Sequence, residues 1–269
     1  MIRLIFLYPI SVVVRIIILI RNKLYDGNIL RATHSKLPVI SIGNIQVGGT
    51  GKTPFVASLI KLLYQNNIKP VIITRGYKRI TNQQIILNDS NQYSVEETGD
   101  EPYYLKKLFK EVPIIIDHNK NRAVHTANTM QNIDCIILDD GYQSRYIKRD
   151  IDIVLINTWT NPLHFFVMPS GYLREKISNL NRADFIYTTK GEKAKKLFTQ
   201  YNTHHLNSSY QLSTYNNEKY KLVDSITKKD SQKIIAFSGI ANPNHFKDSL
   251  NKINIEYDQI INLKNHYQY

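Results

Sequence analysis

Residues 38–63, PVISIGNIQVGGTGKTPFVASLIKLL, decide how this chain folds. An apolar, β-branched run from Val39 to Ile42 leads into a glycine-rich turn that ends in Gly51-Lys52-Thr53. Val56, Leu59, Ile60 and Leu63 then recur at helical spacing, so a strand, a turn and a helix follow one another. That order builds a phosphate cradle. Backbone N–H groups of Gly48, Gly49, Thr50 and Gly51 can converge on a β-phosphate, Lys52 can reach the β- and γ-phosphates, and the Thr53 hydroxyl can bind Mg²⁺. The usual pattern G-x-x-x-x-G-K-[ST] has glycine where this chain has Gln46, yet the flanking strand and helix are the ones a phosphate loop requires. Pro54 sits in the first helical turn, where a missing N–H is harmless. Gln46, Val47, Gly48, Gly49, Thr50, Gly51, Lys52 and Thr53 are therefore expected to line a nucleoside triphosphate.

Downstream, strand-like runs recur at Val71–Thr74, Ile114–Asp117, Ile133–Leu138, Ile153–Asn157 and Phe185–Thr189, with helical stretches such as Tyr103–Lys110 and Arg122–Met130 between several of them. Such alternation predicts an α/β fold of the P-loop NTPase type, a parallel sheet flanked by helices. Ligands in such sheets bind beyond the carboxyl ends of the strands, which directs attention to Asn44, Arg75, Tyr77, Asp117, Asp139, Asp140 and Asn157. From about residue 203 to 230 the sequence becomes polar and tyrosine-rich, which suggests an extended two-strand connector. Beyond it, Ile234–Phe237, Phe246–Lys252 and Tyr257–Leu263 outline one βαβ unit, too small to bury a core of its own.

At 269 residues and 42% hydrophobic content the chain can bury a sizeable core. Its one cysteine, Cys135, lies inside an apolar run, so no disulfide framework exists and a reducing compartment is expected. The formal charge of +13 favours anionic partners. No aromatic-interleaved basic motif, zinc-finger pattern or helix-turn-helix signature accompanies it, so nucleic acid is the weaker reading. The first twenty residues, MIRLIFLYPISVVVRIIILI, are mostly apolar, interrupted by Arg15 and bent at Pro9, with no small-residue cleavage site after them. On a helix, Tyr8, Ser11, Arg15 and Asn22 form a narrow polar stripe on a greasy rod. That suits a helix in a membrane interface with Arg15 reaching lipid phosphate, with a core helix as the lesser alternative.

Asp139-Asp140 end an apolar strand, as in a Walker B site whose carboxylate faces the Mg²⁺ held by Thr53. Asp100 and Glu101 stand side by side before a helix. Asp100 is there either an N-cap or a carboxylate that accepts a proton from an attacking hydroxyl, and the residues alone leave these even. Arg174 can bind phosphate and Glu175 can sit behind the metal, or the two form a surface ion pair. His266 has no evident partner in sequence.

The blocks GNIQVGGTGKTP, TRGYKR, TGDEP, LDDGYQ, MPSGYLRE and SGIANP, with a late histidine beside a tyrosine, together resemble the tetraacyldisaccharide 4'-kinase family of lipid A synthesis, from about residue 39 to the C-terminus. The resemblance implies an ATP- and Mg²⁺-dependent phosphoryl transfer to the 4'-hydroxyl of the lipid A disaccharide 1-phosphate precursor. The reaction would take place at the cytoplasmic face of the bacterial inner membrane, with the N-terminal helix on the lipid surface and no obligate protein partner. Carried over residue by residue, it implies Lys52 and Arg174 as catalytic phosphate contacts, and Thr53, Asp139, Asp140 and Glu175 around the metal. It further implies Asp100 as the base assisted by His266, and Tyr77 and Gln143 near nucleotide or substrate. The implied organisation is a membrane-associated helix at 1–24, a P-loop kinase core at 25–202, the connector at 203–230 and a partial α/β domain at 231–269. Family members usually continue further, so a C-terminally shortened enzyme is expected, or an ATP-binding remnant without catalysis. A membrane-associated P-loop switch ATPase is the other reading, although Val47 stands where such proteins carry a signature lysine.

Overall fold

The β-branched runs form the strands expected of them. The computed structural model describes residues 2–77, 79–88, 93–189, 191, 193–206, 214–216, 221–223, 233–238, 243–252 and 256–263. The chain divides into two compact units, Met1–Leu206 and Asn207–Tyr269. The first contains α1 (Ile2–Asp26), β1 (Val39–Gly43), α2 (Lys52–Gln65), β2 (Pro70–Thr74), β3 (Ile85–Leu87), α3 (Val95–Thr98), α4 (Asp100–Leu108), β4 (Ile114–Ile116), α5 (Lys120–Ala127), β5 (Cys135–Asp139), β6 (Ile151–Asn157), β7 (Phe185–Thr189) and β8 (Thr203–His205). These strands make one sheet in the order β3-β4-β2-β5-β1-β6-β7-β8, parallel throughout except where β3 pairs antiparallel with β4.

β2 and β5 are buried along their whole length because both faces of the sheet are covered. Alternate side chains separate onto the two faces: Ile72, Ile114, Ile116, Cys135 and Ile137 pack with Val56, Ile60 and Leu63 of α2. Val71, Ile73, Ile115, Ile136 and Leu138 pack instead with Ala123, Val124 and Ala127 of α5. The phosphate-loop strand β1 lies between β5 and β6, so its turn opens in the middle of the carboxyl edge.

Two details depart from expectation. Thr203–His205 is the edge strand of this sheet, paired parallel with β7, and not the start of the connector. His205 faces the sheet through its Nδ1, 3.1 Å from the Thr188 hydroxyl. The strand β3 has only three apolar residues between polar neighbours, a run too short to give a period, and its pairing with β4 creates it.

Helix α1 runs on through Pro9. Two residues of its polar stripe face the protein: Ser11 and Asn22 are buried, whereas Tyr8 and Arg15 are exposed, and Phe6, Ile10, Val13, Ile16, Ile17 and Ile20 are each at least half exposed. Ser11 donates to the Ser170 hydroxyl (2.8 Å) and accepts from the Ser170 N–H (2.9 Å). Among the described residues no helix is long and apolar enough to cross a membrane.

In the second unit, β9 (Thr214–Asn216) and β10 (Lys221–Val223) pair antiparallel. β11 (Ile235–Ser238), α6 (Pro243–Lys252) and β12 (Gln259–Asn262) form a βαβ unit with the two strands parallel.

Candidate active site

The turn after β1 is shaped by its glycines. Gly51 caps α2 with φ 86°, a left-handed conformation that leaves side-chain-bearing residues strained. The loop is braced from three directions. Asn44 donates to the Thr50 hydroxyl (3.0 Å), Thr189 donates to the Thr50 carbonyl (3.0 Å), and Asn157 donates to the Gly49 carbonyl (3.2 Å).

Gln46 and Val47 take part in this bracing. The Gln46 amide donates to the Asn157 carbonyl (3.1 Å) and accepts from the Asn157 N–H (2.8 Å). A glutamine amide carries the same donor and acceptor as a peptide, so it extends the β1–β6 pairing past the strand end. The Val47 N–H donates to the Tyr172 carbonyl (2.8 Å), which takes it away from any phosphate. The Arg174 N–H donates in turn to the Ile45 carbonyl (2.7 Å), so residues 172–174 lie antiparallel beside the loop and bring the Arg174 side chain into the site.

There the charges converge. Arg174 Nη1 donates to both Asp140 carboxylate oxygens (2.8 and 2.7 Å), and Lys52 Nζ lies 3.4 Å from Asp140 Oδ1. Burial opposes ionisation of Asp140, but the Lys52 and Arg174 cations overcome it and hold the carboxyl at about 2. Asp139 accepts from the Thr74 hydroxyl (2.9 Å), and burial raises its carboxyl above the usual range. On the other side of the loop, the Thr53 hydroxyl donates to Glu101 Oε1 (3.1 Å). That bond places the first turn of α4, with Asp100 as its leading residue, against the phosphate loop.

The structure gives Glu175 a position buried among polar side chains. Fully buried, its carboxylate accepts from Gln143 (2.9 Å), Asn179 (2.8 Å), Asn22 (3.3 Å) and Arg182 (3.1 Å). Gln143 continues the chain, since its Oε1 accepts from Arg174 (3.4 Å) and its Nε2 also donates to the Asn44 carbonyl (2.9 Å). Glu175 thus ties α1 to the residues behind Arg174. Because breaking a buried ion pair strands the partner charge, Glu175→Ala is expected to destabilise the protein by about 3 kcal/mol in urea unfolding. A loss under about 1 kcal/mol would contradict this.

Tyr77 stands on the turn after β2 and is largely exposed, while His266 lies outside the described residues. Among the described residues no group of three or more His, Cys, Asp or Glu side chains is clustered as for a metal ion. Thr53, Asp139 and Asp140 nonetheless offer only hard oxygen donors around the loop, the set that Mg²⁺ takes.

Two contributors were not singled out from sequence. Glu101 is one; its neighbour Asp100 drew the attention, and only the fold shows which carboxylate meets Thr53. Lys120 is the other: buried, it donates to the carbonyls of Asp139 (2.6 Å) and Asp140 (2.8 Å), pinning the turn on which Asp140 adopts φ 48°. The only sequence signal was a lysine in the first turn of the helix after Asp117. Burial lowers its ammonium from the usual 10.5 to about 8. Between those values the unfolded chain holds the extra proton, so stability from this site rises with pH. The stability of wild type relative to Lys120→Met should therefore grow across that window in urea titrations, and a flat difference would contradict it.

A family model described as Tetraacyldisaccharide-1-P 4'-kinase matches residues 3–269. The chain belongs to that family. It is 33% identical to a tetraacyldisaccharide 4'-kinase of Halothermothrix orenii, over 94% of this chain and 72% of the relative. To the enzyme of the same name from Aquifex aeolicus it is 32% identical, over 98% of this chain and 82% of the relative. A solved structure described as the "apo" form of LpxK from Aquifex aeolicus in complex with ATP superposes with a TM-score of 0.77 at 30% identity, covering 99% of this chain and 83% of the other.

Proposed function

We propose that this protein transfers the γ-phosphoryl group of ATP to the 4'-hydroxyl of the tetraacyldisaccharide 1-phosphate precursor of lipid A. The observation that carries this reading is the sharing of Asp140 by Lys52 and Arg174 beside the phosphate loop, with the α4 carboxylates drawn in by the Thr53–Glu101 bond. Family membership supplies the acceptor, and the ATP named for the Aquifex aeolicus structure supports the donor.

In this reading the N–H groups of Gly48 to Gly51 hold the phosphates, and Lys52 and Arg174 spread the charge of the transferring group. Asp100 accepts the proton of the 4'-hydroxyl as its oxygen bonds to the γ-phosphorus and the bond to the ADP oxygen breaks. Thr53, Asp139 and Asp140 would hold Mg²⁺, which would supply positive charge to offset that of the phosphates. Lys120 keeps the Asp139–Asp140 turn in place, and Gln143 and Glu175 keep Arg174 in place.

Work at the cytoplasmic face of the inner membrane, peripheral or monotopic, is the setting we infer. The exposed apolar side of α1 supports it, because such a surface with a basic stripe residue is what an interfacial helix presents to lipid. Between α1 and residues 165–178 lies a groove of about 310 Å³ lined by Tyr8, Val12, Phe166 and Leu173, with Arg15 and Lys176 among its lining. It is suited to an acyl chain with a phosphate above it. The test is incubation with ATP, Mg²⁺ and the lipid A disaccharide 1-phosphate in detergent, followed by mass spectrometry. A gain of one phosphate on the lipid is expected. Folded protein that leaves the lipid unchanged would overturn the reading.

A further inference from the structure

The segment that carries Arg174 lies between two neighbours. On one side residues 172–174 bond to the phosphate loop through the Val47 and Arg174 N–H groups. On the other side the segment is fastened to α1 at two buried points, Ser170 to Ser11 and Glu175 to Asn22. From Ser11 to Asn22 the helix rises about 16 Å, and an extended chain from Ser170 to Glu175 spans about the same, so helix and segment match in length. The C-terminal end of α1 is held separately. Arg145, on the turn that also carries Gln143, donates to the Asn22 carbonyl (2.9 Å) and to Asp26 (2.7 Å), with its guanidinium over the Tyr25 ring.

The Asn22 contact reaches Arg174 through a chain of directed bonds. An ionised carboxylate can only accept, so every polar neighbour of Glu175 must turn a donor toward it. Asn22 (3.3 Å), Asn179 (2.8 Å) and Arg182 (3.1 Å) all donate to Oε2, which keeps Oε1 turned to Gln143 Nε2 (2.9 Å). With Nε2 spent on Glu175 and on the Asn44 carbonyl, the Gln143 Oε1 is the end left for Arg174, 3.4 Å from Nη1. The direction of the chain is imposed from the Glu175 end, and it presents Arg174 with an acceptor. With the amide reversed, Nε2 would face the guanidinium, donor against donor, and push Arg174 away from Asp140.

We propose that Asn22 is a positioning residue for the phosphoryl transfer: by holding Glu175 from α1 it keeps the Gln143 amide, and through it the Arg174 guanidinium, in the orientation that the transferring group meets. That role rests on the kinase reading above. It gives α1 a task inside the protein that is separate from contact with lipid, because the outward apolar side of the helix takes no part in it. Asn22 touches none of the reacting groups, so its loss should appear in kcat and pass through Arg174.

The experiment is a double-mutant cycle on kcat in mixed micelles, with Asn22→Leu made both in wild type and in Arg174→Met. In wild type, Asn22→Leu should lower kcat about 10-fold, the worth of one hydrogen bond to a charged group, with KM for ATP and for the lipid within about twofold. In Arg174→Met the same change should cost less than about twofold, because the residue it acts through is gone. A merely structural asparagine would cost the same in both. Asn22→Ser, whose hydroxyl can bond the helix's own carbonyl but is too short for Glu175, keeps the test decisive if Asn22→Leu does not fold. An undiminished kcat, an equal loss in both backgrounds, or a loss that falls on KM for the lipid overturns the proposal while the kinase reading stands. A wild type that transfers no phosphate to the lipid sinks that reading first and this role with it.

Discussion

Asp100→Asn is expected to lower kcat about 1,000-fold while leaving ATP affinity within a fewfold of wild type. Gly99 caps α4 and no side chain makes a capping bond there, so the near-isosteric change removes no cap and the loss reports on the carboxylate's chemistry. The neighbouring Glu101 keeps its bond to Thr53, and the phosphate loop keeps its shape. What disappears is a base for the acceptor hydroxyl. Single-turnover measurements with saturating ATP and lipid separate this from product release. Turnover within tenfold of wild type would remove Asp100 from the role of base.

Arg174→Met should have an effect of similar size by a different route. The backbone bond from the Arg174 N–H to the Ile45 carbonyl does not depend on the side chain, so residues 172–174 stay beside the loop. The side chain alone supplies the paired bonds to Asp140, leaving that carboxylate to Lys52. An arginine that stabilises charge on a transferring phosphoryl group contributes roughly 10³-fold or more to kcat. Arg174→Lys is expected to recover only part of that, since an ammonium is a compact point charge without the planar array of donors that a phosphoryl group can take. If Arg174→Met raised KM for ATP and left kcat unchanged, Arg174 would be a ground-state anchor only.

How much of this was legible beforehand depends on how local each signal is. The phosphate loop is contiguous: strand, glycines, Lys52, Thr53 and the apolar helix face all lie within residues 38–63. Asp139-Asp140 could be read because an apolar run announces the strand end on which they stand. The bracing by Gln46 could not be read, because its amide is used by Asn157, 111 positions away, through a pairing that only the β1–β6 register creates. Glu175 looked like a companion of the metal site from its place beside Arg174. Its four side-chain partners come from α1, the turn after β5 and the stretch after itself, which no spacing rule connects.

The N-terminal helix shows the division most plainly. Its narrow polar stripe was evident from helical spacing. Which side met the protein was not, because the answer lies in bonds across 159 positions to Ser170 and 153 positions to Glu175. Once those polar groups are satisfied inward, the apolar side is left outward.

By itself, then, the sequence determined the α/β class, the phosphate loop and the acidic strand end, and through its motif blocks it led to the family. These properties follow from periodicity and from short stretches whose chemistry is complete in place. Only the tertiary structure decided that Asp140 is shared by Lys52 and Arg174, that Glu101 meets Thr53, and that Lys120 pins the acidic turn. The physical reason is that a parallel sheet brings the ends of strands distant in sequence to one edge, so its site is assembled by strand order.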